Sequence, residues 1–293
     1  MTVSNRRQSI DLLRFVAAFG IVWAHMQAPF MIEGYLALAL FVILTAFLSV
    51  RSLARGGMRR FWLGRLIRFL VPWVVWSGFF WGLSFLRGQG AGPLVASTPL
   101  WPLIGPSIHL WFLPFVILAS PLVILGVWAL TTRNRVWAAS VGLIPLAIWS
   151  IWLHDQNQLP EPLLQWAFAT TPLLYGILSA SGQYHRAVAA PLVFIIVTSG
   201  LSIIWFGSVV AAYLLAAALL FEGLWRVPLK GNWMTPLGSL AFGIYLVHPF
   251  FMLIWYHFVP PEMSRIPGAF AVFLASTLFT YLIRQTKAGQ VLV

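Results

Sequence analysis

The sequence predicts an all-α, polytopic membrane protein of about ten transmembrane helices with both termini in the cytoplasm. Three observations carry that prediction: the composition, the spacing of the apolar runs, and the placement of Arg and Lys between them. Of 293 residues, 60% are hydrophobic and only 8% charged, with a mean hydropathy of +0.89. A soluble domain carries roughly 25% charged residues, so this chain lacks the polar surface to cover a globule in water. Lipid can face such side chains directly, provided the backbone is satisfied within helices. The 16 Trp and 23 Phe suit the aromatic belts at the two bilayer interfaces.

A helix needs about 20 apolar residues to cross the hydrocarbon core. With the N-terminus inside, the elements follow in order. Arg6 and Arg7 precede a first span over 10–30, and a second covers 34–51. The segment 51–68, RSLARGGMRRFWLGRLIR, interleaves Arg with Phe61, Trp62, Leu63, Leu66 and Ile67. It reads as an amphipathic helix in the inner interface that feeds a third span, 69–86, near Pro72. A Gly- and Pro-rich outer loop over 87–107 leads to the fourth span, 108–130. Arg133 and Arg135 then precede 136–153, and the sixth span is 163–181. Arg186 opens the seventh, 187–204, divided from the eighth, 206–225, only by Ser199-Gly200 and Trp205-Phe206-Gly207. Arg226 and Lys230 come before the ninth, 236–257. The tenth, 266–284, ends at Arg284 and Lys287. This places 15 of the 18 basic residues inside, Arg87 and Arg265 outside, and Arg14 within the first helix. That alternation through ten spans is what the positive-inside rule requires.

The whole chain, 1–293, reads as one transmembrane domain with no internal repeat. The first run is too long for a cleaved leader and has no A-x-A-like site after it. The net charge of +12 comes from topology signals and not from a basic soluble face, so no nucleic-acid partner is expected. The absence of Cys excludes a thiolate nucleophile, and the scattered His predict no metal.

Ionisable groups inside a span need a partner or a role. Arg14 and His25 are eleven residues apart, about three turns plus 20°, so they share one stripe of the first helix, roughly 16 Å apart along its axis. Two readings stand at this point. Arg14 snorkels to the inner headgroups while His25 bonds a neighbouring helix, or the pair forms a functional site.

The opening SIDLLRFVAAFGIVWAH resembles the start of the membrane-bound acyltransferase type 3 family, whose hallmark is Arg, ten residues, then His. FVILTAFLSV resembles its second helix, with Thr45-Ala46 in place of the usual Ser-Gly. FWLGRLIRFLVPW matches its Arg-x-x-Arg segment at Arg65 and Arg68. HLWFLPFVIL resembles a later helix entry, and LAFGIYLVHPFF its penultimate helix at Tyr245 and His248. The resemblance implies a multi-pass protein of a bacterial inner (cytoplasmic) membrane that moves an acyl group, first of all acetyl from cytoplasmic acetyl-CoA, to a hydroxyl of an outer-face carbohydrate. The expected partners are membrane lipid, acyl-CoA and the carbohydrate acceptor, with a homo-oligomer left open and no resident cofactor or metal.

On those terms His25 is the expected general base or a transient acyl carrier, since a positioned base activates a poor hydroxyl nucleophile and imidazole titrates near working pH. Arg14 would hold an anion. Arg65 and Arg68, i and i+3 at the inner interface, are expected to bind CoA phosphates, although Arg beside anionic lipid is ordinary. Glu33, His109 and Trp111 at the outer side, with Tyr245 and His248, complete the candidate substrate-binding set. Asp11, Asp155, Glu161, Glu222 and Glu262 sit at span ends or in loops, where solvation or pairing with Arg is expected. The competing function is a transporter or flippase, against which stand the missing repeat and the scarcity of mid-span acids. A scaffold that has lost activity is a third reading.

Overall fold

The structure is a computed structural model that describes residues 7–29, 34–90, 92, 95, 98–229, 231–260 and 265–293. Among these residues it is helical throughout, without a strand. The helices are α1 (Gln8–His25), α2 (Gly34–Arg65), α3 (Val71–Leu86), α4 (Phe112–Leu118), α5 (Ser120–Ala129), α6 (Arg133–Gly142), α7 (Ile144–Asp155), α8 (Leu163–Tyr184), α9 (Ala189–Phe206), α10 (Val209–Arg226), α11 (Met234–Phe258), α12 (Arg265–Ile283) and the short α13 (Gly289–Leu292).

Eight of the described helical stretches are long and apolar enough to cross a membrane. One of them, Gly34–Leu86, runs for 53 residues, far more than one crossing needs. It folds as two spans because Gly57 adopts φ 70, ψ 175, a conformation essentially confined to glycine. A π turn over Leu66–Leu70 follows, closed by the Val71 amide on the Leu66 carbonyl. Helix α1 lies outside the eight because its 18 residues include Gln8, Asp11, Arg14 and His25. Two crossings for 34–86, together with α1, bring the count to about ten.

Prolines explain why single spans hold two helices. Pro121 and Pro145 enter just after the breaks at Ala119 and Leu143, where a missing amide is tolerated. The weakest sequence boundary proves sharp. Gly207 ends α9 in the left-handed conformation (φ 67), its amide on the Ile203 carbonyl, and Ser208 Oγ accepts from the Ala211 amide to start α10.

Two compact units form. One comprises 1–41, 216–291 and 293, and the other 42–215 with 292. In the first, α1 lies along α11 and also touches α12. Phe15 and Phe19 of α1 meet Phe273 of α12 with ring centres 5.1 and 4.9 Å apart, and Trp23 meets Phe270 at 5.8 Å. This i, i+4, i+8 aromatic seam fixes the rotation of α1. Small residues bring α2 close on another side: a Cβ on Gly20 would sit 2.6 Å from the Ala37 methyl, the small-residue packing that lets membrane helices approach. On α11, Gly238 lies directly under Asp11, whose Cα would be 2.6 Å from an added Cβ.

In the second unit, α2 continues past residue 42 and receives α8, where a Cβ on Gly176 would lie 2.7 Å from the Ala46 methyl. Gly176 thus lets α8 approach α2 closely at Ala46. Helices α7, α8 and α9 pack on one another. Ser150 and Thr171 join α7 to α8 by a 3.0 Å hydroxyl pair.

Candidate functional site

The phase set by the aromatic seam decides what the Arg14–His25 stripe faces. Ile10, Asp11, Ala17, Ala18, Ile21 and Val22 of α1 are all buried. At about 100° per residue, Arg14 and His25 fall in the middle of the arc those six residues define. Val16, 53% exposed, lies on the far side. Yet Arg14 is only half-buried and His25 is exposed. The two polar side chains therefore sit on the protein-facing side of α1. Lipid-facing packing is a poor account of them.

His25 sits at the last residue of α1. Gln27, at φ 51, turns the chain there; Tyr256 Oη of α11 donates to the Met26 carbonyl at 3.3 Å, and Trp23 Nε1 of α1 itself donates to the Pro29 carbonyl at 2.8 Å. The His25 ring meets His248 of α11, ring centres 5.0 Å apart and planes at 56°. His248 is fully buried, and its Nδ1 lies 2.8 Å from the Tyr245 carbonyl. Tyr245, 2% exposed, stacks on Phe41 of α2 at 5.8 Å. The structure therefore brings three sequence candidates, His25, Tyr245 and His248, into one cluster in the first unit, with Arg14 further along the same helix.

Near Arg14, Asp11 is not a solvated span-end acid. It is 4% exposed and accepts from Thr235 Oγ1 at 3.4 Å. The first turn of α1 packs directly on Gly238 of α11. Glu222 behaves as expected, paired with Arg226 at 2.9 Å.

Arg65 and Arg68 differ in burial. Arg65 is 8% exposed, donates through Nη2 to Ser49 Oγ, and lies over the rings of Phe61 and Phe69 at 4.6 and 5.3 Å. It borders a narrow crevice in the second unit with Thr45, Ser49, Phe112, Phe115 and Ser120, with room for about one water. Arg68 is exposed. The π turn begins directly after Arg65 and carries Arg68 within it. The bend at Gly57 also divides the 51–68 segment. Its first part continues the helix of the second run, and the later arm leaves Leu63, Leu66 and Ile67 exposed.

His109 stands in a 3-10 turn, Ile108–Trp111. It is 2% exposed, 2.9 Å from Ser107 Oγ through Nδ1, with Phe80 edge-on at 5.1 Å. Trp111 is 5% exposed between Phe112 and Phe115, so it offers little free face. Glu33 lies outside the described residues. Nowhere among the described residues do three or more His, Asp or Glu gather as a metal site would require. Sequence reasoning passed over Ser49, Phe41 and Pro249. Only the last carries a local signal, a proline directly after a buried histidine.

A family model described as an acyltransferase domain, that of acyltransferase type 3, matches residues 7–285. No curated protein and no solved structure matches the chain.

Proposed function

The chain belongs to the acyltransferase type 3 family and is a multi-pass membrane acyltransferase; from that premise we propose that it moves an acyl group, acetyl before others, from cytoplasmic acyl-CoA to a hydroxyl of a carbohydrate at the outer face of a bacterial inner membrane. One observation supports the reading above the rest: His25 is exposed while centred on the buried arc of α1, beside His248. That is where a base must stand to reach a substrate without being buried in packing.

In the proposed reaction His25 takes the proton of the acceptor hydroxyl as its oxygen bonds to the thioester carbon. The carbon–sulfur bond breaks, and the CoA thiolate leaves and regains a proton from the His25 imidazolium. Such positioned proton transfer contributes about 10²–10⁴ in rate. Arg14, on the same stripe, holds a phosphate or carboxylate of the substrates. Exposed Arg68 meets a CoA phosphate at the inner interface, and Arg65 anchors that segment through Ser49 and the two phenyl rings. Tyr245 and His248 support the base, and His109 and Trp111 are the proposed contacts for the acceptor.

The test is the O-acyl content of surface and secreted glycans from cells lacking the protein, complemented with wild type or with His25→Ala at equal membrane abundance. Wild type should restore the acyl signal and His25→Ala should lower it by about 10² or more. Full restoration by His25→Ala removes the base from the mechanism. Acetyl-CoA hydrolysis by the purified protein in detergent separates an acyltransferase from a flippase, which would show none.

A further inference from the structure

Helix α11 carries the pair His248–Pro249 within its length. Proline has no amide hydrogen, so the carbonyl of Tyr245, four residues earlier, cannot receive the ordinary helical bond from residue 249. A carbonyl freed inside an apolar bundle must be satisfied from close by. Here the partner is His248 Nδ1, 2.8 Å away. A carbonyl oxygen only accepts, so Nδ1 carries the hydrogen. Neutral imidazole has a single N–H, which makes Nε2 the lone-pair nitrogen. His248, Ile244, Leu246 and Val247 are all 0% exposed, and close packing of this kind leaves the ring no space to turn over. The His25 ring lies against it at 5.0 Å.

We propose that His248 is a positioning residue for His25 and that Pro249 is what fixes it. By leaving the Tyr245 carbonyl to Nδ1, the proline holds His248 in one tautomer beside the imidazole that takes the substrate proton. The proposal rests on the reading of His25 as base. When His25 accepts the hydroxyl proton it becomes a cation. A neighbouring imidazole of fixed tautomer, its ring centre 5.0 Å away, keeps a fixed dipole beside that cation and does not reorganise during the reaction. A ring free to exchange tautomers would lose that preorganisation. No bond to His248 forms or breaks.

The experiment uses the full chain, labelled with ¹⁵N-histidine and purified in detergent. Nitrogen NMR reads the tautomer of His248, whose signals are identified by their loss in His248→Gln. The expected wild-type result is hydrogen on Nδ1. In Pro249→Ala the new amide competes for the Tyr245 carbonyl, so the signals should report a mixture of tautomers. Its kcat should fall about tenfold with KM for acetyl-CoA within about twofold, and its melting temperature should not fall, because alanine is the better helix former. Hydrogen on Nε2 in the wild type, or wild-type kcat in Pro249→Ala, overturns the proposal. Should Pro249→Ala fail to fold, His248→Asn decides: its amide nitrogen can replace Nδ1 but nothing stands at Nε2. It should fold and lose about the same activity, and full activity in it overturns the proposal. The tautomer is read without turnover, so the base assignment fails separately, through an active His25→Ala, while the NMR result still stands or falls alone.

Discussion

At the scale of single residues, Arg65 shows how one side chain departs from its sequence pattern. Arg-x-x-Arg suggests two equivalent cations. The structure buries Arg65 against Ser49, Phe61 and Phe69 and leaves Arg68 exposed. A guanidinium can stack on two rings and still donate sideways to a hydroxyl, which a compact ammonium cannot do as well. Arg65→Lys should therefore lower thermal stability by about 1–2 kcal/mol, from one weakened charged hydrogen bond and lost stacking. Arg68→Lys should leave stability unchanged and raise KM for acyl-CoA instead. Equal melting curves for Arg65→Lys and wild type would contradict the structural role of Arg65. The Arg14–His25 spacing was legible because helical periodicity needs no knowledge of neighbours. That His25 meets His248 was not, because the 222 positions between them say nothing of which helices touch.

At the scale of elements, the seat of α1 on α11 is the contact that positions the cluster. Gly238 has no alternative, since an added Cβ would lie 2.6 Å from the Asp11 Cα, and backbone cannot swing aside as a side-chain tip can. Gly238→Val should destabilise the protein by about 1–3 kcal/mol through overpacking and lower activity by shifting His25 from His248. Gly200→Ala in α9 is the control. Nothing lies within 4 Å of its added methyl, so stability should hold or rise by about 0.5–1 kcal/mol. Thermal melts of the two purified variants check this, and a tolerated Gly238→Val would mean that α1 is not seated as described. Element ends were partly readable: the break at Gly207 carried a glycine, whereas the π turn at Leu66–Leu70 leaves no mark in residue types.

At the scale of the whole molecule, the expected orientation invites a direct measurement, because the chain has no native Cys. Gln89→Cys, in the segment assigned outside, should react with a membrane-impermeant maleimide in intact cells. Asn134→Cys, between the inner Arg133 and Arg135, should react only after permeabilisation. The reverse pattern would invert the topology and put His25 near the cytoplasm. By itself the sequence determined the all-helical, multi-pass architecture of about ten spans, because bilayer thickness and backbone hydrogen bonding allow few other uses of such apolar runs. It also determined family membership, through motifs spread along the chain. Only the tertiary structure decided that Arg14 and His25 lie within a buried arc of α1, that Tyr245 and His248 join His25, and that Arg65 is buried where Arg68 is exposed. Those outcomes depend on helix rotation and neighbour choice. Both are set by steric fit at a few aromatic and glycine contacts between positions far apart in the chain, which periodicity along a single helix cannot encode.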